Sequence, residues 1–279
     1  GCTVVSTGSE TQNSDGTWTL KADKVRDFAV IVGESFEKLT ARAGDVTVNS
    51  YYSAASDGDK KQGEISLKSA VDAVNAFEEA WGKYPYDTLD VVQAPYNYGG
   101  MEYPGMVRIA ASYAGSLELE DEIDKSLRLD VAHEVAHEWF YAAVGNDQYR
   151  EAWLDESFAV YGEYVYQLYT GENESDVRER VMAFDGTLPQ KYIDLSVGEY
   201  FDEGTGYGDY IHAVYKVGPQ FLWKLRQAMG ADSFDDFMHT WYTEHMFKEV
   251  TTADFREAIE KAAPGGEVRA LLSEYLSPA

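Results

Sequence analysis

Hydrophobic and polar positions follow two different periods along this chain. Apolar or alternating runs of strand length predict β-strands over 25–33, 45–53, 88–94 and 106–110. Over 64–82, apolar residues recur at the three- and four-residue spacing of a helix face. Beyond about residue 117 the helical spacing continues almost to the end. The pattern predicts an α+β fold with a mixed first part and a helical second part.

Turn signals organise the first sixty residues. Residues 3–7 and 17–20 predict two short strands that form a hairpin around the turn-rich stretch between them. The only cysteine, Cys2, is expected to be a strand residue, and a single cysteine excludes an internal disulfide. The polar stretch 54–63 predicts a loop.

Two predicted helices in the second part carry the candidate chemistry. The first is expected to span about 124–144, with Gly145 ending it, and it contains the run HEVAH. The second is expected over 151–171, with Gly171 in the position favoured after a helix C-terminus. A short loop between them predicts two antiparallel helices that face each other.

The spacing in HEVAH is that of a metal site. Residues i and i+4 of a helix share one face, so His133 and His137 can direct both imidazoles at a single ion. Glu134 is better placed to reach a water molecule than to bind the metal, which suggests a general base. Glu156 on the next helix supplies the third ligand that a catalytic zinc needs. We therefore expect one Zn²⁺ per chain, held by these two histidines and Glu156, in preference to two histidines that merely pack in a core.

The charge of the chain excludes one class of partner. It has 49 acidic and 23 basic side chains and a formal net charge of −26, so nucleic acid is not expected to bind. Such a charge either attracts cationic substrates or forms a solvated acidic surface, and the sequence leaves both open. No apolar run approaches the length of a membrane span. The localisation is unknown, and a secreted or cell-envelope origin stays open because an N-terminal signal could have been removed.

Three motifs together resemble one family. HEVAHEW, then WLDESFA, with GGMEYPG upstream, resemble the aminopeptidase N family of zinc metallopeptidases, which are gluzincins. That family has HExxH, eighteen residues and then the third ligand, and eighteen residues separate His137 from Glu156 here. The resemblance spans most of the chain and implies a thermolysin-like catalytic domain. The departure is Tyr103, which stands where the family usually has Asn.

The resemblance also implies roles for residues outside the metal helices. Glu102 would hold the free α-amine of a peptide substrate, and Gly99, Gly100 and Met101 would complete this substrate-binding edge segment. The stretch AVYKVG matches, in part, the family context of a tyrosine that donates to the oxyanion. This points to Tyr215 as the second catalytic residue, with two other tyrosines, Tyr207 and Tyr210, as competitors.

The expected organisation has three parts. Residues 1–20 are expected to be the remnant of a preceding β domain, which would otherwise be missing. Residues 21–116 would form a small mixed-sheet subdomain with the substrate-binding edge segment. Residues 117–279 would form the helical subdomain, with the zinc site between the two subdomains.

The predicted function is zinc-dependent removal of N-terminal residues from peptides. The predicted partner is a peptide with a free N-terminus. A thermolysin-like zinc endopeptidase is the first alternative, since it shares the metal ligands but needs no amine anchor. A non-catalytic peptide-binding scaffold of the same fold is the second.

Overall fold

The computed structural model describes residues 2–115, 121–184, 186, 192–202 and 206–278, with the backbone alone at 121 and 122. The strands are β1 Thr3–Ser6, β2 Ser9–Gln12, β3 Trp18–Lys21, β4 Val30–Gly33, β5 Phe36–Ala43, β6 Val46–Ser53, β7 Thr88–Ala94, β8 Gly100–Met101, β9 Met106–Ala110, β10 Val144–Gly145 and β11 Lys248–Glu249. The helices are α1 Asp57–Trp81, α2 Asp121–Ala136, α3 Trp153–Tyr169, α4 Glu174–Met182, α5 Val197–Asp202, α6 Tyr207–His212, α7 Gly218–Met229, α8 Ala231–His245, α9 Thr252–Ala262 and α10 Gly266–Tyr275.

The chain divides into two compact units. The first comprises residues 1–78 and 83–138, and the second comprises residues 79–82 and 139–279. Residue 116, where the sequence places a subdomain boundary, lies outside the described residues. No helix within the described ranges combines the length and the apolar composition needed to cross a bilayer.

A five-stranded mixed sheet organises the first unit. Its strand order is β5-β6-β7-β9-β8, with β6, β7 and β9 mutually parallel and with β5 and β8 antiparallel at the two edges. The central strand β7 has six of its seven residues buried. Burial on both faces is typical of a parallel strand covered on both sides. The predicted strands over 88–94 and 106–110 are confirmed.

The pairing of the opening strands differs from the predicted hairpin. β1 pairs antiparallel with β4, while β2 pairs with β3. Val5 of β1 is fully buried against Val92 and Met106, so burial on the large sheet decides the pairing of β1. The prediction paired residues 3–7 with residues 17–20, because these are closer to them along the chain than β4 is. Cys2 is exposed and precedes β1, so the expectation of a strand residue was wrong.

One helix boundary and one strand in the first unit were predicted wrongly. The helix predicted over 64–82 begins at Asp57, because Ser56 caps it by accepting a hydrogen bond from the backbone N–H of Asp59 at 3.2 Å. The predicted loop 54–63 is therefore mostly helical. Strand β5 was missed, since its charged and half-exposed side chains suit a sheet edge but hide the alternating pattern.

The helix that carries HEVAH is shorter than expected. It ends at Ala136, eight residues before the predicted end. Tyr141 has a φ of 143°, which reverses the chain, and the backbone N–H of Val144 donates to Trp139 at 2.9 Å. Val144 and Gly145 then pair in parallel with β11. The reversal depends on pairing with a segment a hundred residues away, which a local pattern does not show.

Aromatic side chains form the core of the second unit. The ring of Phe255 lies 5.2 Å from that of Trp153 and 5.7 Å from that of Phe158, measured between centroids. Helix α3 ends at Tyr169, and Gly171 follows with a φ of 95°, as its predicted position after the helix requires. The predicted helical character of this half is confirmed, with β10 and β11 as its two short strands among the described residues.

Candidate metal and peptide site

Helix α2 places His133 and His137 one turn apart. Their ring centroids are 4.9 Å apart, and a nitrogen of each ring lies within 4.8 Å of one in the other. Although α2 ends at Ala136, the backbone N–H of His137 still donates to the carbonyl of His133 at 3.3 Å. The helical spacing therefore persists past the helix end. His137 is buried and His133 is half-buried, so the pair offers two nitrogen ligands in a largely dry setting.

The carboxyl group of Glu134 packs against the edge strand β8. Glu134 is 6% exposed, and a Cβ atom added to Gly100 would lie 2.5 Å from both Cγ and Oε1 of Glu134. A Cβ added to Gly99 would lie 2.0 Å from Oδ2 of Asp130, one turn earlier on α2. These glycines therefore let the acidic face of α2 approach the sheet edge. The family resemblance implied a different use for them, as part of the substrate-binding edge segment.

Asp130 has a partner that sequence reasoning did not single out. The Tyr113 hydroxyl donates a hydrogen bond to it. Tyr113 belongs to the 3₁₀ turn Ala111–Gly115 that follows β9. This bond ties α2 to the end of a sheet strand close to Gly99.

Glu102 lies next to the second histidine. It directly follows β8, is 6% exposed, and has a carboxylate oxygen within 4.8 Å of a ring nitrogen of His137. Its neighbour Tyr103 packs instead against Val5 and Met106. The residue that departs from the family pattern therefore contributes to the apolar packing of the sheet.

Glu138 is a buried acid that the sequence did not single out. Both of its carboxylate oxygens accept from the backbone N–H of Gly105, at 2.9 and 3.1 Å, and one accepts from the Tyr84 hydroxyl at 3.3 Å. Burial raises the pKa of Glu138 to about 8, against the lowering effect of these hydrogen bonds and of His137. The only sequence signal was a second Glu directly after HEVAH. Its contacts anchor the chain where α2 ends.

The second unit brings Glu156 and Tyr215 together. Glu156 lies in the first turn of α3 and is half-buried. The pKa of Tyr215 is raised, mainly by burial, then by the negative charge of Glu156 and by a hydrogen bond that the phenol donates to it. A buried phenol that keeps its proton remains a hydrogen-bond donor.

Tyr215 lies on an irregular turn. Residues Ala213–Val217 form a π-helical segment, a geometry found often at functional sites. Within it, the carbonyl of Val214 accepts from Oγ of Ser157 at 2.6 Å. A Cβ added to Gly218 would lie 2.0 Å from the same Oγ. Gly218 therefore allows close contact between this turn and α3, which explains why Gly follows the Tyr-Lys-Val sequence.

The competing tyrosines occupy different settings. Tyr207 is 55% exposed. The ring of Tyr210 lies 6.0 Å from that of Tyr215, and the two phenols are hydrogen-bonded. Asp155, beside Glu156, is buried and accepts from Nε2 of Gln148 at 2.6 Å. Of the three tyrosines, Tyr215 has the hydrogen bond to Glu156.

The predicted site residues thus form two groups. In the first unit the structure brings together His133, His137, Glu134 and Glu102, with Gly99, Gly100 and Met101 along the adjoining edge. In the second unit it brings together Glu156 and Tyr215.

Comparison with known proteins decides the family. The Peptidase family M1 domain matches residues 65–275, which is most of the chain. The chain belongs to peptidase family M1. The match contains both groups of site residues.

Relatives within family M1 are distant and longer. The chain is 27% identical to Aminopeptidase M1-A of Oryza sativa subsp. japonica over 264 residues, covering 88% of this chain and 28% of that protein. It is 26% identical to Aminopeptidase N of Lactobacillus helveticus over 250 residues, covering 84% of this chain and 29% of that protein. The chain therefore spans less than a third of these relatives.

A solved structure confirms the fold. The crystal structure of an M1 zinc metallopeptidase from Deinococcus radiodurans matches with a TM-score of 0.72 at 20% identity, covering 99% of this chain and 62% of that one. The predicted α+β fold is thus a family M1 fold.

Proposed function

We propose that this chain is the catalytic part of a zinc aminopeptidase that removes N-terminal residues from peptides. The observation that carries the proposal is the buried turn of α2 that holds His133 and His137 on one side and Glu134 between them, in a chain of family M1. The names of the relatives, aminopeptidases and a zinc metallopeptidase, support it.

The proposed metal ligands are His133, His137 and Glu156. The donor set fits zinc, which accepts imidazole nitrogen and carboxylate oxygen and keeps an open position when only three protein ligands are present. The ring nitrogens of the two histidines are close enough to share an ion. Bound zinc supplies Lewis acidity, which lowers the pKa of a water molecule and polarises a carbonyl group.

The other residues have separate roles in the proposed reaction. Glu134 accepts the proton of the attacking water and passes it to the leaving amine. Tyr215 donates a hydrogen bond to the developing oxyanion, after release from its bond to Glu156. Glu102 binds the ammonium group of the substrate, since a buried carboxylate is a strong counter-charge for it. Holding the N-terminus sets which peptide bond reaches the site.

Metal analysis paired with two peptides tests this proposal. We expect one zinc per chain and cleavage of a free peptide, with little cleavage of the same peptide after N-terminal acetylation. Equal cleavage of both would favour the endopeptidase alternative. Binding of both peptides without cleavage, by zinc-loaded protein, would favour the non-catalytic scaffold.

The base assignment has its own test. Glu134→Gln should lower turnover by about 10²- to 10⁴-fold and leave zinc stoichiometry unchanged, because Glu134 does not bind the metal. Glu64→Gln is the matched control, since Glu64 is an exposed glutamate on α1. Retained turnover in the Glu134 variant would contradict its role as base.

A further inference from the structure

A pocket lies in the first unit, at the carboxyl ends of the parallel strands β7 and β9. Its volume is about 550 Å³, and it is lined by Pro95, Tyr96, Asn97, Arg108, Ala111 and Ser112. The carboxyl ends of parallel strands are a common place for ligands. Among the described residues, this lining contains one charged side chain, and it is cationic.

Arg108 supplies a positive charge to this pocket, in a chain whose formal net charge is −26. Its guanidinium carbon lies 4.3 Å from the centroid of the Tyr96 ring, and Nη2 donates to the carbonyl of Pro95. Its Nε is buried and has no hydrogen-bond partner. Among the residues that the structure describes, no carboxylate pairs with Arg108. A half-buried guanidinium that has no carboxylate partner among the described residues can bind an anion.

The strand register places this cation close to the proposed amine anchor. Arg108 pairs directly with Met101 across the antiparallel strands β8 and β9, so their Cα atoms are about 5 Å apart. Glu102 is the next residue, about 3.8 Å further along the chain. The Tyr96 hydroxyl donates to Sδ of Met101 at 3.4 Å. The pocket therefore begins within two or three residue lengths of Glu102.

The two faces of the edge strand carry different chemistry. Gly100 pairs with Ile109, and their face is the one against which Glu134 packs. Met101 and Arg108 point to the opposite face, because successive residues of a strand alternate. A peptide added beside β8 alternates in the same way. If its first residue is held on the face of Glu102 and Glu134, its second residue is directed towards the face of Arg108.

We propose that Arg108, with Tyr96, Asn97 and Ser112, binds a carboxylate on the leaving side of the peptide, so that the enzyme favours short acidic substrates. This inference rests on the proposed aminopeptidase function. The carboxylate belongs either to an acidic side chain at the second position or to the C-terminus of a dipeptide. One guanidinium with three neutral polar side chains suits a monoanion.

Matched substrates test the inference on the zinc-loaded protein. Ala-Glu-Ala-amide is compared with Ala-Gln-Ala-amide, and the dipeptide Ala-Ala with its amide. Alanine p-nitroanilide, which has no carboxylate, reports the basal activity. We expect KM to be about tenfold lower for the acidic member of at least one pair. The pair that shows the preference identifies the source of the carboxylate.

Variants of Arg108 test whether this residue causes the preference for acidic substrates. Arg108→Gln should abolish it with kcat little changed, and Arg108→Lys should retain part of it. Arg42→Gln is the control, since it removes an equal charge from the opposite edge strand, β5. Hydrolysis of the anilide should change less than about twofold in all three variants, because the anilide has no carboxylate for Arg108 to bind.

Three outcomes would overturn the inference. They are an equal KM for acidic and neutral peptides, a preference that survives in Arg108→Gln, and a loss of preference in Arg42→Gln. If the wild-type protein cleaves neither the anilide nor any peptide, the proposed function fails instead. Calorimetric binding of Ala-Glu-Ala-amide and Ala-Gln-Ala-amide to wild-type and Arg108→Gln protein then still decides whether Arg108 recognises the carboxylate.

Discussion

The two groups of site residues are positioned by opposite means. In the first unit, Glu134 sits where it does because Gly100 has no side chain to exclude it. In the second unit, Tyr215 is positioned by added bonds, its own to Glu156 and that of Ser157 to Val214. The first group is thus sensitive to added volume, and the second to lost hydrogen bonds. Each of the first three changes below acts on one side of this contrast.

The largest effect is expected in the second unit. Tyr215→Phe removes only the phenol oxygen and should lower kcat by about 10²- to 10³-fold with little change in KM, because the donor acts on the transition state. Steady-state kinetics with an aminoacyl anilide measures this. Tyr207→Phe is the matched control and should remain within about twofold, since Tyr207 is an exposed phenol. An equal loss in both variants would remove the reason for choosing Tyr215.

Added volume should act next most strongly, in the first unit. Gly100→Ala would place Cβ against Glu134, the proposed base, and force either Glu134 or β8 to move. A displacement of about 1 Å at a catalytic group costs about 10²-fold in rate. Gly115→Ala is the control, since nothing lies within 4 Å of its added Cβ. The same kcat in both variants would show that Glu134 has room to adjust.

A lost hydrogen bond should cost stability in the second unit. Ser157→Ala leaves the buried carbonyl of Val214 without this donor and should lower the free energy of unfolding by about 1–3 kcal/mol. Because Val214 adjoins Tyr215, kcat should fall as well. Thermal or denaturant unfolding measures the first effect. Ser273→Ala, an exposed serine on α10, should change stability by no more than about 0.5 kcal/mol.

The last change acts on the pH dependence of stability, through a buried acid in the sheet of the first unit. Asp90 is 4% exposed and accepts from Nδ2 of Asn49 at 2.7 Å. Burial raises the pKa of Asp90 from 3.8 to about 7, with Glu10 raising it further and Lys38 lowering it. The folded chain therefore holds this proton more tightly than the unfolded chain does.

The sign of the pH dependence follows from that shift. The stability contributed by protonated Asp90 is complete below about pH 4 and is lost as the pH rises through about 7. Across that window the loss is at most about 1.4 kcal/mol per pH unit. Asp90→Asn keeps an acceptor for Asn49 and should remove this component, as unfolding curves between pH 4 and 8 would show. If the variant shows the same dependence of stability on pH as the wild-type protein, the raised pKa of Asp90 is contradicted.

Local spacing was enough to predict much of the site. The i, i+4 relation of His133 and His137 is a property of any helix, and Glu134 follows from it. The strands β7 and β9 were predicted because burial on both faces requires a nearly continuous apolar run. Gly171 was recognised because a left-handed residue after a helix favours glycine.

Features that depend on distant partners were not predictable in this way. Strand β1 pairs with β4, because Val5 packs against Val92 and Met106 rather than for any local reason. Helix α2 stops early because Val144 pairs with a strand a hundred residues later. In the sequence, Arg108 is one residue of the predicted strand over 106–110. Its lack of a carboxylate partner among the described residues is visible only in the three-dimensional structure.

The amino-acid sequence by itself determined which residues are proposed to bind a metal, since ligand type and helical spacing are local properties of the chain. Only the tertiary structure decided how the groups around it are held. It showed that Gly100 makes room for Glu134, that Ser157 fixes the turn of Tyr215, and that Arg108 faces a pocket. The physical reason is that excluded volume, burial and ion pairing depend on which distant residues come into contact, and no periodicity along the chain records those contacts.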